Sequence, residues 1–156
     1  MDALFAAIEA TGVAQALRVS RWGYAFVSAA HIFGIALLVG ATLPLQLRLL
    51  GLWRDIPQRS LVRILSPVAA CGLALAVCAG LLLFSIRAQE YADNPFLQAK
   101  LVLVATGALS AIVLHRAHGF LLEDAGRARL RLHAALSMTC WIGALICGRM
   151  IAFASN

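Results

Sequence analysis

The sequence predicts an all-α integral membrane protein: an up-and-down four-helix bundle preceded by a short interfacial helix. Three observations carry that prediction. Of 156 residues, 62% are hydrophobic and only 13% charged, and the mean hydropathy is +0.88, beyond what a soluble domain of this length tolerates. Four stretches, over 22–50, 65–86, 96–118 and 133–154, meet the requirement of about 20 mainly apolar residues for a spanning helix. All seven acidic residues (Asp2, Glu9, Asp55, Glu90, Asp93, Glu123, Asp124) fall in tails or loops outside them. The spans use most of the chain, so a single transmembrane domain over 1–156 is expected, with no room for a separate soluble one.

The elements follow in order. Over 2–18, Leu4, Phe5, Ile8 and Leu17 lie along one side of a helical pattern, with Asp2, Glu9 and Gln15 elsewhere, which suits a helix lying in the membrane interface. The opening Met1-Asp2-Ala3-Leu4-Phe5 lacks the basic region and small-residue cleavage site of a secretory signal, so span one is expected to direct insertion. That span is apolar from Val27 to Thr42 except for His31. Span two carries Cys71 and Cys78, span three Lys100 and, near its end, His115 and Arg116, and span four His133, Cys140, Trp141, Cys147 and Arg149.

Eight of the 13 basic residues sit in the loops joining spans one to two (Arg48, Arg54, Arg59, Arg63) and three to four (Arg116, Arg127, Arg129, Arg131). The positive-inside rule then places those loops in the cytoplasm and both termini outside, in a plasma (inner) membrane. Topology accounts for the net charge of +6 without nucleic acid, for which no binding motif is present; the lipid bilayer is the expected partner.

The two halves echo each other. Arg48-Leu49-Leu50-Gly51 closes span one as Arg116-Ala117-His118-Gly119 closes span three, and the cysteines of spans two and four share a seven-residue spacing. A duplication of this kind gives a parallel repeat about an axis along the membrane normal. It sets His31 and Lys100 at similar depth.

Depth isolates the ionisable residues of interest. At about 1.5 Å of rise per residue, His31 and Arg48 stand roughly 25 Å apart, Lys100 and His115 roughly 22 Å, and His133 and Arg149 roughly 24 Å, less than the roughly 30 Å hydrocarbon core. An ionisable side chain in hydrocarbon is costly and marks a functional site by default. His31, Lys100 and Arg149 fall in the outer half on three different spans, and no carboxylate lies within the spans to neutralise them. A haem propionate, a quinone oxygen or a lipid phosphate would pair with Lys100 and Arg149, with Trp141 as an apolar wall. The bland alternatives are snorkelling of Lys100 and Arg149 to headgroups and a neutral His31 bonded to a carbonyl or to Ser28, Thr106 or Ser137.

Two cofactor chemistries compete. A b-type haem takes His31 in the outer half, with Met150 or an open position opposite, or His115 with His133 in the inner half; a quinone needs only His31 and the cations. Cu(I) would instead use two layers of thiols, Cys71 with Cys140 and Cys78 with Cys147, the outer one near His31. Against it, cysteine is also a small residue that lets helices pack closely. Hydrolysis finds no support, because the chain has no Ser-His-Asp set, paired carboxylate, zinc-protease helix or phosphate-binding glycine loop.

Four runs are similar to a known family: Ala30-His31-Ile32-Phe33-Gly34 through Gly40, Leu47-Arg48-Leu49-Leu50-Gly51, Asn94-Pro95-Phe96-Leu97-Gln98-Ala99-Lys100, and Leu136-Ser137 through Trp141 to Gly148-Arg149-Met150-Ile151-Ala152. Over nearly its whole length the chain resembles a bacterial family of small four-span membrane proteins, distantly similar to the membrane domain of copper-resistance protein D. The resemblance implies motif positions at His31, Arg48, Lys100, Trp141 and Arg149. It departs at Gln46, where an Asp is expected, and the four cysteines are not part of its pattern. The resulting expectation is a redox-cofactor-binding, electron-transfer component with other membrane redox subunits or a second copy as partners. The alternatives are Cu(I) binding or transport and a structural or assembly subunit of a larger membrane complex.

Overall fold

The computed structural model describes residues 2–122 and 126–154. Met1, Glu123, Asp124 and Ser155, on which parts of the sequence reading fell, lie outside the described residues. In chain order the helices are α1 (Asp2–Glu9), α2 (Gly12–Val19), α3 (Arg21–Leu50), α4 (Gln58–Ile86), α5 (Ala88–Ala92), α6 (Pro95–His118) and α7 (Arg127–Ala154). The helices α3, α4, α6 and α7 are each long and apolar enough to cross a membrane. The chain is therefore an all-helical, multi-pass membrane protein whose long helices alternate in direction.

Local chemistry sets the boundaries, and some differ from expectation. The single interfacial helix expected over 2–18 is two helices, because the Thr11 hydroxyl accepts the Ala14 N–H at 3.4 Å and starts α2 afresh, as N-capping threonines do. The second span begins at Gln58 rather than 65, since residues such as Arg59 and Arg63 are good helix formers and the turn that leaves the membrane needs no apolar side chain. Asn94 caps α6 by accepting the N–H groups of Phe96 (2.9 Å) and Leu97 (3.3 Å), and Pro95 opens the helix. The short α5 was not anticipated.

Glycine controls how closely the first hairpin packs. A Cβ on Gly72 would stand 2.5 Å from the Leu38 nitrogen, and one on Gly34 only 2.6 Å from the Ala76 nitrogen, so α3 and α4 touch backbone to backbone. Such small-residue contacts are what drive helix association in lipid, where burial of apolar surface contributes little. The second hairpin uses a different fit: the Trp141 ring of α7 fills the space beside Gly107 of α6, 3.2 Å from where a Cβ would be.

The long helices follow one another across the molecule as α4, α3, α7, α6, with α3 against α7 in the middle and no backbone approach between α4 and α6. At the end bearing loop 51–57 and the end of α6 the row curls, and Val62 of α4, Leu114 of α6, Leu122 in the turn that follows α6, and Leu130 of α7 share one buried cluster, flanked by Leu45 and Leu49 of α3. Leu122 reaches it in a left-handed conformation (φ 56°) that costs a non-glycine residue about 1–2 kcal/mol.

At the opposite end α1, α2 and α5 form a collar. Arg18 donates to the Ile86 carbonyl at the end of α4 and pairs with Glu9 at 3.4 Å, while Glu9 accepts the Gln89 N–H of α5 at 3.0 Å. Phe5 meets Phe84 edge to face, with centroids 6.2 Å apart.

Candidate functional site

His31 faces α4. Its Nδ1 lies 2.7 Å from the Ala76 carbonyl oxygen, so Nδ1 carries the proton and donates, and Nε2 is left as the acceptor. The imidazole fits because Gly80 lacks a side chain: a Cβ there would stand 3.0 Å from His31 Cε1. The carbonyl is the bland partner that sequence reasoning allowed for, in place of Ser28, Thr106 or Ser137. It does not saturate the ring, however. A histidine fixed through Nδ1 to a carbonyl is also the arrangement that presents Nε2 to a metal or a donor.

Lys100 of α6 crosses the face of α7 over Gly148, its Nζ 3.3 Å from where a Gly148 Cβ would be. Lys100 is among the charged groups in the neighbourhood of His31, and Cys147 is in the neighbourhood of Lys100. Each hairpin thus seats one ionisable side chain, His31 or Lys100, on a glycine of its partner helix. That equivalence fits the internal echo, but the two-fold relation goes no further: the α3 to α7 contact has no α4 to α6 counterpart.

Arg149 does not join this pair. Its guanidinium lies over the Phe153 ring, 4.8 Å from the centroid, on an exposed face of α7. Trp141 is 4% exposed and packs on Gly107 in the middle of α6. His133 Nδ1 is 2.8 Å from the Ser110 hydroxyl. His115 stacks on Phe120 at 5.7 Å, and its Nδ1 is buried without a hydrogen-bond partner. These two histidines therefore take separate partners.

The cysteines do not form layers. Cys71 and Cys78 are exposed on α4, Cys140 is buried and Cys147 half-buried on α7, and α4 and α7 are not neighbours in the row. No group of three or more His, Cys, Asp or Glu side chains suited to a metal ion occurs among the described residues.

One buried polar pair escaped sequence reasoning. Gln46 of α3 is 5% exposed, and its Nε2 donates to the Ser137 hydroxyl of α7 at 2.6 Å, while Oε1 has no partner. The only signal was Gln46 itself, noted for not being Asp. Compared with known proteins, the chain matches no family model, no curated protein and no solved structure.

Proposed function

We propose that this protein is an electron-transfer component of the plasma membrane that holds a redox cofactor, a quinone or a b-type haem, beside His31 and Lys100. The carrying observation is the His31 imidazole: within a membrane-spanning helix, its Nδ1 is committed to the Ala76 carbonyl and its Nε2 lone pair has no hydrogen-bond partner among the described residues. A neutral Nε2 accepts a quinol hydroxyl or ligates haem iron with the same lone pair. The Lys100 ammonium, with no carboxylate in the spans to neutralise it, donates to a quinone oxygen or pairs with a propionate. The quinone reading asks less of the chain, since it needs no second axial ligand. The separation of α4 from α6 favours it further, because a lipid-soluble ring enters from the bilayer without a channel. Arg149 and Trp141 have no part in the site, and both termini face outside in this reading.

The test is an absorption spectrum, quinone extraction and metal analysis on gently solubilised protein, with His31→Ala and Lys100→Met beside the wild type. A quinone or Soret signal that drops about tenfold in either variant is expected, the loss of one hydrogen bond to a charged or buried partner. Wild-type protein lacking both cofactors, or variants retaining them in full, would sink the proposal. Copper retained in a Cys-free protein would point to metal handling without thiols.

A further inference from the structure

The end of α3 opposite the collar is built around Gly51, whose positive φ of 119° makes a left-handed turn that glycine alone adopts at no steric cost. The Gly51 N–H reaches the Arg48 carbonyl at 3.1 Å and the Leu52 N–H reaches the Leu47 carbonyl at 3.0 Å, so the helix satisfies its own last carbonyls. Arg48 spends its donors on the loop, bonding the carbonyls of Ile56 (2.7 Å) and Arg54 (3.2 Å). Two guanidinium groups remain. Nη2 of Arg54 and Nη2 of Arg131 from α7 stand 3.3 and 3.9 Å from the point where a Gly51 Cβ would be. Like charges have thus converged on one spot, and neither forms an ion pair with a carboxylate among the described residues, the adjacent Asp55 included.

We infer that Arg54 and Arg131 form a binding site for the phosphate of an anionic phospholipid headgroup. Paired guanidinium groups are suited to phosphate oxygens, which accept several parallel N–H donors. The lipid source follows from the surroundings. Leu52 and Trp53 are 47% and 48% exposed beside the pair and Ile56 is 39% exposed, at the foot of a 30-residue apolar helix. Exposed tryptophan at such a level anchors in the headgroup region, and exposed basic side chains next to a membrane-spanning helix attract anionic lipids. The site is separate from His31 and Lys100 and stands or falls without them.

The test titrates the full chain in a non-ionic detergent with phosphatidylglycerol, phosphatidylcholine or inorganic phosphate. Native mass spectrometry reads bound lipid and thermal shift compares all three. Wild-type protein should prefer phosphatidylglycerol to phosphatidylcholine by at least tenfold. Each arginine near an anionic surface is worth a factor of about five, so Arg131→Gln should weaken phosphatidylglycerol about fivefold and Arg54→Gln with Arg131→Gln about thirtyfold. Arg21→Gln, an exposed arginine at the collar end, should change nothing. Arg54 also holds its turn through Nε to the Gly51 carbonyl at 3.1 Å, so Arg131→Gln serves as the variant that breaks no hydrogen bond. Equal affinity of wild type for the two lipids, wild-type affinity in the double variant, or the same response to inorganic phosphate would overturn the inference.

Discussion

The Gln46 amide and the Ser137 hydroxyl show how far one buried polar pair constrains the molecule. In hydrocarbon an amide without a partner has no water to turn to. Ser137→Ala therefore strands the whole Gln46 side chain and is expected to cost about 1–3 kcal/mol, measured by unfolding in a denaturing detergent. Gln46→Leu combined with Ser137→Ala removes both polar groups and should recover most of that loss; a double variant as unstable as the single one would count against the pairing. Glu9 carries a pH dependence. The Gln89 N–H, foremost, and Arg18 beside it hold the Glu9 carboxyl below the usual carboxylate range, against a smaller opposing effect of burial. A lowered value in the folded state means that the clasp is at full strength above the unfolded value and is lost as pH falls through the lowered one. Hydrogen-exchange protection of the Gln89 amide should thus stay level from neutral pH down to the usual carboxylate range and then collapse, and Glu9→Ala should lack it throughout. His31 was legible in the sequence as an anomaly, whereas its partner was not, because every residue owns a carbonyl and only the register between helices selects that of Ala76. Arg149 was misleading for a related reason. Depth along a helix was readable, but the direction of the side chain depends on which neighbour the helix meets.

At the scale of the elements, glycines divide into those that make contacts and those that do not. Gly72→Ala places a methyl group 2.5 Å from the Leu38 nitrogen, a backbone atom that cannot step aside, and should destabilise the α3 and α4 hairpin by about 1–3 kcal/mol. Gly40, also in α3, has nothing within 4 Å of its Cβ position, so Gly40→Ala should raise stability by about 0.5–1 kcal/mol through reduced backbone freedom. Thermal midpoints of the two variants in one detergent should move in opposite directions, and movement in the same direction would refute the close crossing. The four long helices were legible because hydropathy over about 20 residues is a strong signal. The break between α1 and α2 had a signal that the expectation of one helix passed over: Leu17 follows Ile8 by nine residues, about half a turn out of phase at 3.6 residues per turn, so the side shared by Leu4, Phe5 and Ile8 does not continue past Thr11-Gly12.

For the molecule as a whole, the order α4, α3, α7, α6 was not readable from span lengths, which say nothing about neighbours. A closed bundle brings the cysteine faces of the even spans together; the actual row leaves Cys71 and Cys78 facing outward and Cys140 buried against α6. A lipid-soluble maleimide applied to the protein in bilayers should label Cys71 and Cys78 and spare Cys140 until unfolding, with peptide mass spectrometry as the readout. Comparable labelling of Cys140 in the native protein would contradict the row. The middle of that row joins the earliest long helix to the latest. During synthesis the α3 and α4 hairpin is complete while α7 is still to be made, and Gln46 waits in the membrane until Ser137 arrives. A chain halted after α6 therefore displays a stranded amide, whose donor the finished chain pairs with the Ser137 hydroxyl.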